Sequence, residues 1–296
     1  MTTTGNTAGR STAATPATAH GPRLSFVGIL RSEFIKLFTL RSTFWCIVII
    51  VLLSVGFGLL ASTIQVPHRA GIPVPPPLTS AQQQARAVTF ATIGSQIGEL
   101  VLAVLGALVI TGEYATGMIR STFAAVPRRL PALIGKAIVL AITAFVIGLV
   151  TIYGTAAIIF PLLPGVKVHP HWDNWTLNES LIGGAVYLML IALIAFCVGA
   201  IIRNSAGGIA GALGLVFVLP IIVNIIGGLT QATWIGNIGS LLPTSAGGHL
   251  FSYTNSKTQV VSGVLSLDRL DGGLILLGWF VVLFIVAAVM LKRRDT

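Results

Sequence analysis

Six stretches of this chain, at about residues 44–64, 88–110, 132–159, 181–202, 207–228 and 273–291, are apolar over the ~20 residues that a helix needs to cross a bilayer. Hydrocarbon offers backbone N–H and C=O groups no water, so segments of this kind satisfy their polar atoms as helices. Composition agrees: 54% of residues are hydrophobic and 9% charged, where soluble domains carry roughly 25% charged residues. The class is an all-α membrane protein with six transmembrane helices. Cys46 and Cys197 both fall inside apolar runs, where each acts as a small core residue rather than half of a disulfide.

A net charge of +10 suggests nucleic acid in a soluble chain, but here the placement of the charges explains it. Five Lys and Arg precede the first run, four lie from Arg120 to Lys136, one is Arg203 and three run from Lys292 to Arg294. These thirteen share one side of the membrane, against Arg69, Arg86, Lys167, Lys257 and Arg269 on the other. The positive-inside rule then makes both termini cytoplasmic, and no nucleic acid is needed.

Residues 1–22 are rich in Thr, Ala, Gly and Ser without an apolar core, which predicts a disordered cytoplasmic tail and no signal peptide. Residues 23–296 form the membrane domain. From Leu24 to Leu40, Val27, Leu30, Phe34, Leu37 and Phe38 recur at helical spacing, with Ser25, Ser32, Glu33, Lys36 and Thr39 largely opposite. With Arg31 and Arg41 this predicts an amphipathic interfacial helix over 24–41. Arg203-Asn-Ser-Ala206 predicts a tight hairpin between the fourth and fifth spans. The segment from Leu229 to Gly272, with Trp234, Ile235, Ile238, Leu241 and Leu242, predicts a re-entrant or interfacial piece ending near Pro243.

The polar island between the second and third spans is Glu113-Tyr-Ala-Thr-Gly-Met-Ile-Arg120, continuing to Val126-Pro-Arg-Arg129. Its length suits a short helix across the cytoplasmic surface, with Pro131 in the first turn of the next span. It reads either as a solvated loop or as a docking element for a cytosolic partner.

Motifs for catalysis are missing. Gly135-Lys136 lacks the glycine and hydroxyl residue of a nucleotide-binding loop, and no H-E-x-x-H or nucleophile elbow occurs. His169 and His171, one residue apart beside Asp173, fall short of a metal site. Within the second span, Thr92, Ser95, Gln96 and Glu99 fall at i, i+3, i+4 and i+7 and make one polar stripe. A carboxylate facing lipid near mid-bilayer costs about 2.5 kcal/mol or more. The stripe therefore turns toward protein or a wet cavity, either as interhelical hydrogen bonding or as the wall of a substrate path. In the fifth span, Pro220 predicts a kink and Asn224 interrupts an apolar helix.

Taken in order, Arg31-Ser-Glu-Phe-Ile-Lys36, Leu40-Arg-Ser-Thr43, Gly112-Glu-Tyr-Ala-Thr-Gly-Met-Ile-Arg120, Pro127-Arg-Arg129 and Leu241-Leu-Pro-Thr244 resemble permeases of the ABC-2 type. The resemblance covers nearly everything from Leu24 onward. It implies a permease subunit of an ATP-driven exporter, paired with a second permease copy and two copies of a separately encoded ATPase that binds ATP and Mg, with no cofactor on this chain. It implies that Glu113, Tyr114, Thr116, Gly117, Met118 and Arg120 form a coupling helix docked on that ATPase. Arg31, Glu33, Lys36 and Arg41 would belong to the connecting helix beside it. Thr92, Ser95, Gln96, Glu99 and Asn224 would line the path of a hydrophobic or amphipathic cargo, and Leu229 to Leu250 would close its outer side. The implied setting is a plasma membrane, bacterial by the same likeness. Two other classes compete: a proton-coupled transporter with Glu99 as its titrating group, and a membrane scaffold or sensor.

Overall fold

The computed structural model describes residues 25–64, 78–118, 129–230, 232–253 and 265–293. The tail at 1–22 and Arg120, both singled out above, lie outside the described residues. Regular structure among those described is helical throughout. A short α1 (Phe26–Thr39) leads into α2 (Arg41–Ile64), followed by α3 (Ser80–Ala115) and α4 (Arg129–Ile159). After α4 a tighter 3-10 turn, Phe160–Val166, carries the chain to α5 (Trp175–Ile202). The fifth span divides into α6 (Ser205–Leu213), a π-helical segment Gly214–Val218, and α7 (Leu219–Thr230). Two short helices, α8 (Thr233–Ser240) and α9 (Pro243–Phe251), precede the last span, α10 (Arg269–Arg293). Six segments are long and apolar enough to span a bilayer.

The helices outrun the apolar runs because polar caps, not loss of hydropathy, end them. α3 begins eight residues before Val88 with a reciprocal cap in which the Thr79 hydroxyl accepts from Gln82 N–H and Thr79 N–H donates to Gln82 Oε1. It ends beyond Ile110 at Thr116, where Gly117 takes a φ of 71°, a left-handed value suited to glycine. Asn174 and Asn204 cap α5 and α6 by accepting from Leu177 and Gly207 N–H. The turn between α5 and α6 is thus only Arg203 and Asn204, tighter than the four residues read from sequence. Pro243 starts α9 rather than ending the segment, since a first-turn proline loses no hydrogen bond.

α5 is the axis. Its apolar centre is 72% buried, with 61% for α3, whereas α2, the fifth span and α10 reach 17% each. Small residues let the axis pack closely. A Cβ at Gly106 would lie 2.2 Å from Ala192 O, one at Gly94 2.2 Å from Ser54 Cα, and one at Gly183 2.1 Å from Leu250 O. The buried side of α2 is correspondingly slim: Thr43, Ile50, Ser54, Gly58 and Ser62. Long apolar side chains such as Phe44, Leu52 and Leu60 point outward instead.

A methyl group at Gly183 meets backbone, which cannot rotate away, so Gly183→Ala should cost about 1–3 kcal/mol and lower the unfolding temperature of detergent-solubilised protein. Gly278 has nothing within 4 Å, and Gly278→Ala should leave that temperature unchanged or raise it, through better helix propensity.

Candidate functional site

Buried charge concentrates where α1 meets the end of α3 and the start of α4. Lys136 lies in the second turn of α4, and its Nζ donates to Glu113 Oε1 at 2.9 Å and to Glu33 Oε2. Lys36, one turn after Glu33 on α1, donates to Glu33 Oε1 at 2.9 Å and to Glu113 Oε1 at 3.1 Å. Two acids and two bases from three helices therefore form a closed quartet. The side chains of Glu33, Glu113 and Lys136 are 4–6% exposed. In a region this dry, each charge is tolerable because its partners are fixed beside it. Burial works against the charge on Lys36, but hydrogen bonds and attraction from Glu33 and Glu113 outweigh it and raise its pKa above the ordinary lysine value. Its contribution to stability is thus fully present at neutral pH and is lost only as pH climbs past the ordinary lysine range.

The geometry gives α1 two distinct sides. Glu33 and Leu37 face the bundle, while Val27, Phe34 and Phe38 stay exposed, with the two phenyl rings 4.5 Å apart. An outward apolar stripe suits a helix that meets lipid on one side and ion-pairs with protein on the other. A cavity of about 450 Å³ opens beside the quartet, walled by Leu37, Leu40, Leu105, Val109, Val139 and Leu140.

The coupling residues expected from the resemblance separate into two sets. Glu113 is inside the quartet. The Tyr114 ring lies 5.5 Å beneath the Arg203 guanidinium, whose Nη2 donates to Met290 O at 3.1 Å. Arg203 thereby joins the ends of α3, α5 and α10. Thr116, Gly117 and Met118 are exposed. The second set forms a surface, and the first fastens that surface to four other helices. Arg31 and Arg41 are exposed on α1 and at the head of α2.

The polar stripe of α3 divides too. Thr92 and Ser95 are buried and spend their hydroxyls on Val88 O and Thr92 O of their own helix, at 2.8 and 2.6 Å. Glu99 is 6% exposed, with no hydrogen bond or ion pair among the described residues. Gln96 is exposed, as is Asn224 on α7. At the other end of the bundle, His169 and His171 are exposed; their backbones, not their rings, are held by Gln83 and Gln84 of α3. Among the described residues no trio of His, Cys, Asp or Glu gathers to hold a metal.

Sequence reasoning named Glu33, Lys36, Glu113 and Tyr114 but missed Lys136, which binds both acids, and Arg203, which lies over the tyrosine ring. Lys136 was counted as a topology charge, although a lysine five residues into an apolar run demands a nearby acid. Removing it should be severe: Lys136→Met leaves two buried carboxylates facing one lysine and should cost about 3–5 kcal/mol, read as lost thermal stability. Adding Glu113→Gln to that variant restores neutrality and should recover part of the loss.

A search of curated proteins finds no match to the chain. The family described as ABC-2 family transporter protein matches residues 27–296, which takes in every described helix except the first residue of α1. With six spanning helices and no strand among the described residues, the chain belongs to the ABC-2 transporter family as a membrane permease.

Proposed function

We propose that the chain is the transmembrane half of an ATP-driven exporter, moved by a separately encoded ATPase that docks at the end of α3. The observation that supports this most directly is the pairing of an exposed tip, Thr116 to Met118, with a quartet behind it of which three members are buried. A load applied at the tip passes through the Glu113 carboxylate to the ammonium groups of Lys36 and Lys136, and so to α1 and α4 together. In this reading the α1 end is cytoplasmic, and the ATPase supplies ATP and Mg. The permease is paired with a second copy through the sparsely covered α2, fifth span and α10. Cargo, hydrophobic or amphipathic, passes the exposed Gln96 of α3 and Asn224 of α7 between the two copies, while α8 and α9 cover the outer end.

Glu99 supports the second reading, a proton-coupled transporter, because it is buried without a partner among the described residues. The two separate cleanly in proteoliposomes. The ATPase reading requires transport that depends on ATP and the partner subunit and persists in Glu99→Gln with no pH gradient. A proton-coupled carrier gives transport without the ATPase, abolished by the same substitution.

Two results are expected. Purified permease alone hydrolyses no ATP above background, and robust activity without a partner would overturn the proposal. Gly117→Val, which forces a branched side chain into left-handed backbone at about 1–2 kcal/mol, inserts normally but weakens co-purification of the ATPase and cuts transport several-fold.

A further inference from the structure

The fifth span is anchored unevenly. Its first part, α6, is pinned: Gly208 lies against Thr111 and Gly199, and the Ser205 hydroxyl donates to Thr111 O at 3.3 Å. Its last part, α7, buries only Pro220 and leaves Ile221, Ile222, Ile225 and Ile226 exposed. Between them the helix widens, with Leu219 N–H reaching back five residues to Gly214 O. Pro220 has no N–H, so position 220 gives no bond to Leu215 O, five residues back, or to Val216 O, four back. Val216 is 1% exposed, and an unmet carbonyl there is costly in a membrane.

That carbonyl is met from outside the span. Thr244, in the first turn of α9, donates its hydroxyl to Val216 O at 3.0 Å. α9 is a firm support: a Cβ at Gly247 would meet the Tyr187 ring at 2.1 Å, and one at Gly272 would meet Ala246 O at 2.3 Å. Just before α9, the Trp279 indole of α10 donates to Leu241 O at 2.9 Å.

We infer that residues 214–220 are the hinge of the permease and that Thr244 is its catch. α7 swings with α8 about the widened turn, and the arrangement resets when the Thr244 hydroxyl returns to the carbonyl that Pro220 leaves vacant. Thr244 is a positioning residue, acting through backbone rather than on cargo. The inference requires that the chain transport but is indifferent to what drives it.

Hydrogen exchange on the full-length chain in lipid nanodiscs tests this without ATP or cargo, so its failure is distinct from failure of the ATPase pairing. Thr244→Val should speed exchange of amides from Phe217 to Asn224 about three- to tenfold, in keeping with the loss of one net hydrogen bond. Thr244→Ser should stay near the parent. Pro220→Ala returns an N–H that can bond Val216 O once the turn tightens to the α register, and should suppress the Thr244→Val effect, which a packing role cannot explain. Unchanged exchange in Thr244→Val, or no suppression by Pro220→Ala, overturns the inference. Should Thr244→Val fail to fold, the double variant decides: recovery of folded protein supports the catch and continued failure overturns it.

Discussion

A lysine ammonium buried near the end of a membrane-spanning helix has to be neutralised on the spot, and here the two neutralising carboxylates come from different helices. That requirement fixes much of the α1 end of the bundle. Lys136 holds Glu33 and Glu113 together, Lys36 braces the same pair from the rim, and α1 is thereby fastened to the junction of α3 and α4. Without the ammonium, α1 keeps apolar contact with the bundle through Leu37, Leu30 and Ile29, the last two against Gly135 of α4, while Val27, Phe34 and Phe38 point away.

The rest of the bundle is governed by closeness rather than charge. Lipid tails are as apolar as leucine, so burying leucine between helices gains little, and backbone approach becomes the source of stability. Glycines at 94, 106 and 183 each admit a neighbouring backbone, and the slim side of α2 serves the same end. This leaves the bulky side chains on the outside, where α2, the fifth span and α10 remain open to lipid or to another chain. The permease is consequently tight around α3 and α5 and sparsely covered on three flanks.

The spans were legible in the sequence because hydropathy reports them directly, and the amphipathic pattern located α1. Their true ends were not, since Thr79 and Gly117 act through capping geometry that apolar counting ignores. The pattern placed α1 at the interface but not its pairing: near a membrane, polar residues turn inward when partners wait there, and Glu33 found Lys136 103 positions away in sequence. Nothing local announces such a partner. Likewise the sequence displayed Pro220 and Thr244 but not that one answers the backbone vacancy beside the other, because 23 residues, with all of α8 among them, intervene.

The quartet also bears on how the chain is made. Synthesis runs from the N-terminus, so Glu33 and Lys36 exist as a neutral couple on α1 before anything else has entered the bilayer. Glu113 follows at the tail of α3, and Lys136 emerges last, at the head of α4, where an unmatched ammonium hinders entry into lipid. Both acids are by then waiting at the membrane surface, and the gene order of the four residues doubles as an assembly schedule.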